Sequence, residues 1–187
     1  MEATLDVMTA HEPTPTEPVE AARAGDRSAF GRLVEPWLAP ALGASIVITR
    51  SHADGADAVQ DALLTAWQGL DALRDPTVFP AWFRTLVIRA ALRVARRRGT
   101  VTPLELVPEA GGPADGGIDG SLDRRLLGRA FDRLEADARA LLTLRYLWGL
   151  PVADTAVALD TLPGTIKSRT HAALGRLRAA FDAEARR

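Results

Sequence analysis

Residues 150–178 of this chain have the sequence LPVADTAVALDTLPGTIKSRTHAALGRLR, and this stretch decides the fold class. Small and apolar residues around Ala156 give a first helix its packing face, and the polar step at Asp160 is too short to continue that face. Pro163 suits the first position of a new helix, where the missing N–H costs nothing. Apolar residues then resume at helical spacing from Ile166 onward. The pattern predicts two short helices joined by a tight turn, a helix-turn-helix.

The start of the second predicted helix carries basic and hydroxyl side chains. Such side chains near a helix N-terminus can bond phosphates and base edges in a major groove, so this is the candidate recognition helix. The alternative is an ordinary helical hairpin with a solvated charged face. The candidate DNA-contacting residues are Thr165, Lys167, Ser168, Arg169, Thr170 and His171.

Charge and turn-forming residues divide the rest of the chain. The net charge of −1 conceals strong segregation of acids from bases. Residues 1–24 are acidic and proline-rich and are predicted to be a disordered tail. Residues 100–120 contain glycine, proline and four acids without a basic residue, the composition of a flexible acidic linker. Helical periodicity on either side predicts an all-α protein with two small helical domains, residues 25–99 and 121–187.

The first domain ends in an arginine-rich helix. Aromatic and aliphatic residues from Phe79 onward recur at spacings of three and four, and arginines then extend the same side. One or two arginines would be explained by compensation of the helix dipole. Six arginines without an acid in residues 84–98 favour nucleic-acid contact instead, because each neutralised phosphate releases counterions. The candidate residues on this helix are Trp82, Arg84, Arg89, Arg93, Arg96 and Arg97.

Three segments resemble a known family when they are taken together. Residues 146–178, with the specific run Gly164-Thr165-Ile166-Lys167-Ser168-Arg169, resemble the C-terminal DNA-binding segment of bacterial sigma factors of the extracytoplasmic-function group. Residues 57–67 (DAVQDALLTAW) resemble the core-polymerase-binding helix of that family, and residues 79–83 (FPAWF) resemble the start of its promoter-melting helix. The resemblance covers roughly residues 25–185 in the expected order.

The resemblance implies a function that the pattern alone does not assign. It implies that the chain directs core RNA polymerase to promoter DNA, with the helix-turn-helix on the minus-thirty-five element and the arginine-rich helix on the melted minus-ten element. It also implies that the acidic linker threads toward the RNA exit path, and an anti-sigma factor is a further expected partner. The implied polymerase-binding residues, which periodicity alone would place on a solvated polar face, are Asp57, Gln60, Asp61 and Trp67.

Three departures from the family pattern concern specific positions. Arg89 and Arg93 stand where the family commonly carries asparagine and aspartate, so its base preferences do not transfer. Asp160 stands where the turn usually has glycine, although aspartate tolerates the left-handed conformation better than most residues. Ala56 replaces a common acid just before Asp57.

Composition excludes several other classes of protein. The absence of cysteine removes disulfides, thiolate zinc sites and thiol nucleophiles, and the three histidines are scattered, so neither a metal site nor a cofactor is expected. No catalytic motif is present, and the chain is expected not to be an enzyme. Without a signal peptide or a long apolar run it is expected in the cytoplasm. A DNA-binding regulator independent of polymerase and a helical interaction protein remain the alternative functions.

Overall fold

A computed structural model describes residues 16–98 and 118–186, and within these ranges the chain is helical without strands. The prediction of an all-α fold is confirmed there. The predicted linker falls mainly on residues 99–117, which lie outside the described residues, as do residues 1–15 of the predicted tail. The helices are α1 (Thr16–Arg23), α2 (Arg27–Thr49), α3 (His52–Gly69), α4 (Phe79–Arg98), α5 (Ile118–Asp132), α6 (Ala136–Leu142), α7 (Val152–Ala158) and α8 (Pro163–Ala185).

Helices α2, α3 and α4 pack on one another and form the core of the first domain. Side-chain caps set the helix starts: the Asp26 carboxylate accepts from two backbone N–H groups at the start of α2, and the Ser51 hydroxyl accepts from the backbone of Asp54 in α3. Phe79 and Phe83 of α4 are fully buried and stacked, with ring centroids 5.8 Å apart. Buried alanines of α3 belong to the same apolar cluster, and their small side chains let α3 and α4 pack closely.

Helix α2 continues through Pro36 and Pro40, although a proline inside a helix removes a backbone N–H. The helix is unbroken from Arg27 to Thr49. Packing against α3 and α4 along its length stabilises the helix despite the two lost backbone N–H groups.

The interpretation of residues 1–24 as a disordered tail is wrong for residues 16–23. These residues form α1, in which Val19 is fully buried and Ala22 nearly so against the first-domain core. Pro18 lies in the first turn, where a helix tolerates proline. Arg23 then ties α1 to the end of α3, since its Nε donates to the Leu70 carbonyl over 3.2 Å. The acidic composition of the segment predicted disorder, but its two buried apolar residues lie on one side of a short amphipathic helix.

The second domain comprises α5 to α8, and α5 begins at Ile118 rather than after the predicted linker boundary at residue 120. Its core lies between α6, α7 and α8, where Ala156, Ile166 and Ala173 are buried. The predicted helix-turn-helix is present as α7 and α8, and Pro163 occupies the predicted first position of α8. Asp160 takes the left-handed conformation in the turn, with φ of 50°.

The two domains contact each other through α2 and α4 on one side and α6 and α7 on the other. Leu144, Leu150 and Ala158 of the second domain join the apolar cluster of the first domain. The described helices include no segment long and apolar enough to cross a membrane.

Candidate nucleic-acid and protein interfaces

Helix α3 presents three of the four predicted polymerase-binding residues on one exposed side. Asp57, Gln60 and Asp61 are exposed and follow one another at helical spacing, so they form a continuous surface, here called the acidic face. Leu64 continues this face with 60% of its surface exposed. The sequence analysis missed Leu64, although its position three and seven residues beyond Asp61 and Asp57 would have placed it there. An exposed leucine among carboxylates suits a protein partner.

Trp67, the fourth predicted residue, lies partly within the domain. Its ring meets Phe30 of α2 edge to face, with centroids 5.1 Å apart and planes at 73°. This contact orients the indole and fixes α3 against α2. Trp67 is therefore both a packing residue and a partly accessible one.

The residues predicted to contact the minus-ten element divide into two groups along α4. Trp82 and Arg84, near the start of the helix, pack on their own domain. Trp82 contacts Phe79 with ring centroids 5.9 Å apart, and the Arg84 guanidinium lies 4.7 Å from the ring centroid of Trp37 in α2. The cation–π contact holds Arg84 along the domain surface.

The second group is the basic face of α4, formed by Arg89, Arg93, Arg96 and Arg97. These exposed arginines line a cleft of about 710 Å³, whose opposite wall is formed by Ala158, Leu159 and Asp160 at the end of α7. The structure thus brings the predicted arginines together, but it places them toward the second domain. Sequence reasoning predicted the cationic side of α4 and missed what it faces.

The approach to α4 is set by a capped turn. Asp75 precedes the 3₁₀ turn Pro76–Val78, and its carboxylate accepts from the Thr77 hydroxyl over 2.6 Å and from the Thr77 backbone N–H over 2.9 Å. These hydrogen bonds hold the pKa of Asp75 below its usual value. The turn directs the chain into α4.

The candidate recognition helix α8 exposes its predicted cationic residues. Ile166 and Ala173 are buried on the inner side, and Lys167, Arg169 and His171 are exposed. The hydroxyl groups behave differently, because Ser168 donates to the Thr165 carbonyl over 3.0 Å and Thr170 donates to the Ile166 carbonyl over 2.7 Å. Each hydroxyl oxygen can still accept a hydrogen bond, but the hydroxyl proton is already donated to a backbone carbonyl of α8.

Opposite charges therefore lie on neighbouring helices of one small domain. Helix α3 contains aspartates without a lysine or arginine, whereas α4 contains arginines without an acid. A partner surface of one sign of charge cannot complement both the acidic face of α3 and the basic face of α4. The geometry therefore suits two partner surfaces of opposite charge. Among the described residues no group of acidic or histidine side chains is arranged to hold a metal ion.

Comparison with known proteins gives one family match in each helical domain. Residues 34–101 match the family described as sigma-70 region 2, and residues 124–177 match the family described as sigma-70 region 4. The ECF RNA polymerase sigma factor SigM of Mycobacterium tuberculosis is 33% identical over 170 residues, which cover 89% of this chain and 84% of SigM. The chain belongs to the ECF RNA polymerase sigma factors. As a sigma factor, it directs core RNA polymerase to promoters for transcription initiation.

Other relatives of this sigma factor have similar names. SigL of Mycobacterium tuberculosis is 35% identical over 138 residues, covering 70% of this chain and 76% of SigL. The RNA polymerase sigma-E factor of Streptomyces coelicolor is 31% identical over 126 residues, covering 67% of this chain and 70% of that factor.

Two solved structures share the fold of this sigma factor. CnrH, in complex with the cytosolic domain of CnrY, matches with a TM-score of 0.64 and 22% identity over 91% of this chain and 99% of CnrH. RpoE of Bartonella quintana, in complex with the anti-sigma factor NepR, matches with a TM-score of 0.67 and 23% identity over 82% of this chain and 96% of RpoE.

Proposed function

We propose that this sigma factor divides its work among three surfaces. The acidic face of α3 binds core RNA polymerase, the basic face of α4 meets the melted minus-ten element, and the first turns of α8 contact the minus-thirty-five element. Residues 25–99 and 121–187, with α1 packed on the first of these domains, carry the three surfaces. The protein acts in the cytoplasm, where polymerase and promoter meet, and catalyses no reaction itself.

The observation that carries the proposal is the separation of charge between α3 and α4. Exposed carboxylates at Asp57 and Asp61 lie four residues apart and pair best with a basic protein surface. The arginines of α4 pair best with phosphates. Trp82, seven residues before Arg89 on the same helix, is only partly buried and offers a ring on which an unstacked base can pack. A domain that binds polymerase and single-stranded DNA at once needs this arrangement.

The recognition helix is suited to duplex DNA. Lys167, Arg169 and His171 are exposed near the N-terminus of α8, where backbone N–H groups also favour phosphate. Arg169 is assigned to a base edge and Lys167 to a phosphate, with Thr165, Ser168 and Thr170 completing the contact surface.

An anti-sigma factor is proposed as a further partner. RpoE of Bartonella quintana, which shares this fold over 82% of the present chain, binds the anti-sigma factor NepR. The shared two-domain architecture supports a similar interaction here.

Reversal of charge on α3 tests the polymerase-binding surface. The double variant Asp57→Lys/Asp61→Lys should lose association with core polymerase, because two attractive contacts become repulsive, while its thermal unfolding stays close to that of the parent. The matched control is Glu35→Lys/Asp71→Lys, which reverses two exposed acids of the same domain outside α3. Fluorescence anisotropy of labelled protein titrated with core polymerase measures the affinities.

Two results would contradict the proposal. Unimpaired core binding by a folded Asp57→Lys/Asp61→Lys variant would remove the acidic face from the polymerase contact. Specific binding of duplex promoter DNA without core polymerase, combined with no transcription in its presence, would favour the alternative of a polymerase-independent regulator.

A further inference from the structure

Leu162 is an exposed leucine in the turn between α7 and α8. It directly precedes Pro163, the first residue of α8, and 73% of its surface is exposed. Single apolar side chains are common on protein surfaces, so exposure alone indicates nothing about function. The location of Leu162 at the N-terminal end of the candidate recognition helix distinguishes it from a scattered surface leucine.

Leu162 is also the N-cap residue of α8. Its backbone is extended there, with φ of −81° and ψ of 144°, and its side chain makes no capping hydrogen bond. A serine or an aspartate at this position would accept a hydrogen bond from a backbone N–H of the first turn and stabilise the helix. Asp26 and Ser51 make such bonds at the starts of α2 and α3. Neither core packing nor helix capping therefore explains a leucine at residue 162.

Backbone hydrogen bonds on both sides hold Leu162 in place. The N–H groups of Thr165 and Ile166 donate to the Leu162 carbonyl over 2.9 and 3.2 Å, which ties the residue to α8. The N–H of the preceding residue, Thr161, donates to the Ala156 carbonyl over 2.9 Å and ties the turn to α7. The side chain therefore projects into solvent from a fixed backbone, and little order remains to be gained when it binds.

The first turn of α8 also allows a close approach to this leucine. Gly164 is exposed, and a Cβ at its position would meet no atom within 4 Å beyond the helix backbone and the adjacent residues. The N-terminal residues of a recognition helix are the ones that reach base edges in the major groove. A DNA duplex that meets the exposed Lys167 and Arg169 would therefore come within reach of Leu162.

We propose that Leu162 contacts the 5-methyl group of a thymine in the minus-thirty-five element and thereby contributes to promoter specificity. The proposal rests on the assignment of α8 to that element. In the major groove thymine differs from the other bases by its methyl group, which only an apolar side chain complements. The cations Lys167 and Arg169 complement phosphates and hydrogen-bond acceptors instead. Burial of one methyl group corresponds to about a fourfold change in affinity.

Replacement of thymine by deoxyuridine tests the contact, because it removes only the 5-methyl group. The probe is a cognate promoter that the parent holoenzyme selects from genomic DNA, with each thymine of the minus-thirty-five element replaced in turn on either strand. Competition between promoter DNAs for the holoenzyme measures the relative affinities. One replacement should weaken binding by the parent holoenzyme about fourfold and should not change binding by the Leu162→Ala holoenzyme.

Leu127→Ala is the matched control. Leu127 is a leucine of α5 in the same domain, with 42% of its surface exposed, and it lies outside the helix-turn-helix. The Leu127→Ala holoenzyme should retain the fourfold loss with deoxyuridine.

Leu162→Ser separates a DNA contact from a structural role. Serine can cap α8, so this variant should unfold at a temperature higher by about 2–4 °C. The same variant should lose its dependence on the thymine methyl group. A residue that only supported the fold would change stability and promoter binding in the same direction.

Three results would overturn the proposal: a selected element without thymine on either strand, equal deoxyuridine losses for the parent and Leu162→Ala, or an Leu162→Ala defect that is the same with thymine and deoxyuridine. Failure of the assignment of α8 looks different. In that case Lys167→Ala and Arg169→Ala would also leave competition at the minus-thirty-five element unchanged.

Discussion

Gly55 lies where α3 crosses α2, and its replacement by alanine should loosen the first domain. A Cβ at this position would lie 2.8 Å from Ile46 Cγ1 and 2.9 Å from the Ile46 backbone nitrogen. Rotation of the Ile46 side chain would relieve the first contact but not the second. The helices must therefore move apart, and α3 carries the acidic face assigned to polymerase.

The magnitude follows from two opposing effects. Overpacking of a core costs about 1–3 kcal/mol, and alanine is favoured over glycine inside a helix by about 0.5–1 kcal/mol. The net loss of unfolding free energy for Gly55→Ala is about 0–2.5 kcal/mol, and the middle of that range is about 1 kcal/mol. For a protein of this size a loss of about 1 kcal/mol lowers the melting temperature by roughly 2–4 °C.

Gly43→Ala is the matched control. Gly43 lies inside α2, and a Cβ at this position would meet no atom within 4 Å beyond the backbone of that helix and the adjacent residues. This variant should gain about 0.5–1 kcal/mol from helix propensity alone. Thermal unfolding followed by circular dichroism compares the two variants, and core-polymerase titration should show weaker binding only for Gly55→Ala. Equal stabilisation by both substitutions would refute the steric argument.

Further expected outcomes concern α8 and the domain boundary. Arg169→Ala should reduce the binding free energy for a cognate minus-thirty-five element by about 1–3 kcal/mol and relax base discrimination there. Competition between promoter DNAs for the holoenzyme measures both effects. Lys167→Ala should weaken binding evenly across sequences and reduce the slope of log affinity against log salt by about one. Burial raises the pKa of Asp132 above its usual 3.8, only partly opposed by Arg50, so the folded protein binds this proton more readily than the unfolded chain. The protonated Asp132 therefore stabilises the folded state below pH 3.8, and this stabilisation is lost as the pH rises through the raised pKa of the folded protein. Thermal melts should show that the stability of the parent relative to Asp132→Asn declines between these two pH values.

Arg89 illustrates why a charged side chain cannot be assigned from its helix alone. Its sequence context, a basic run without acids, predicts phosphate contact, and the residue is exposed in the structure. The same guanidinium donates to the end of α7, which lies 68 and 69 positions away. A phosphate and a carbonyl at a helix end both offer oxygen atoms that accept hydrogen bonds from a guanidinium. The local sequence therefore cannot distinguish the two contacts, which depend on how the domains are arranged.

Local physical chemistry made much of this protein predictable from its sequence. The helix-turn-helix followed from apolar spacing, from Pro163 at the start of α8 and from the tolerance of Asp160 for a left-handed turn. The exposed side of α3 followed from periodicity around Asp57 and Asp61. These features depend on residues within a few turns of each other.

The tertiary structure decided the features that depend on distant neighbours. Residues 16–23 are helical because Val19 and Ala22 pack into the core of the first domain. The acidic composition of this segment does not indicate that packing. Arg139 lies in an apolar, helix-forming segment, and its partner at Ile48 is 91 positions away. Hydrophobic periodicity specifies which side of a helix is covered, but the identity of the covering surface depends on how the domains pack, and only the folded chain contains that information.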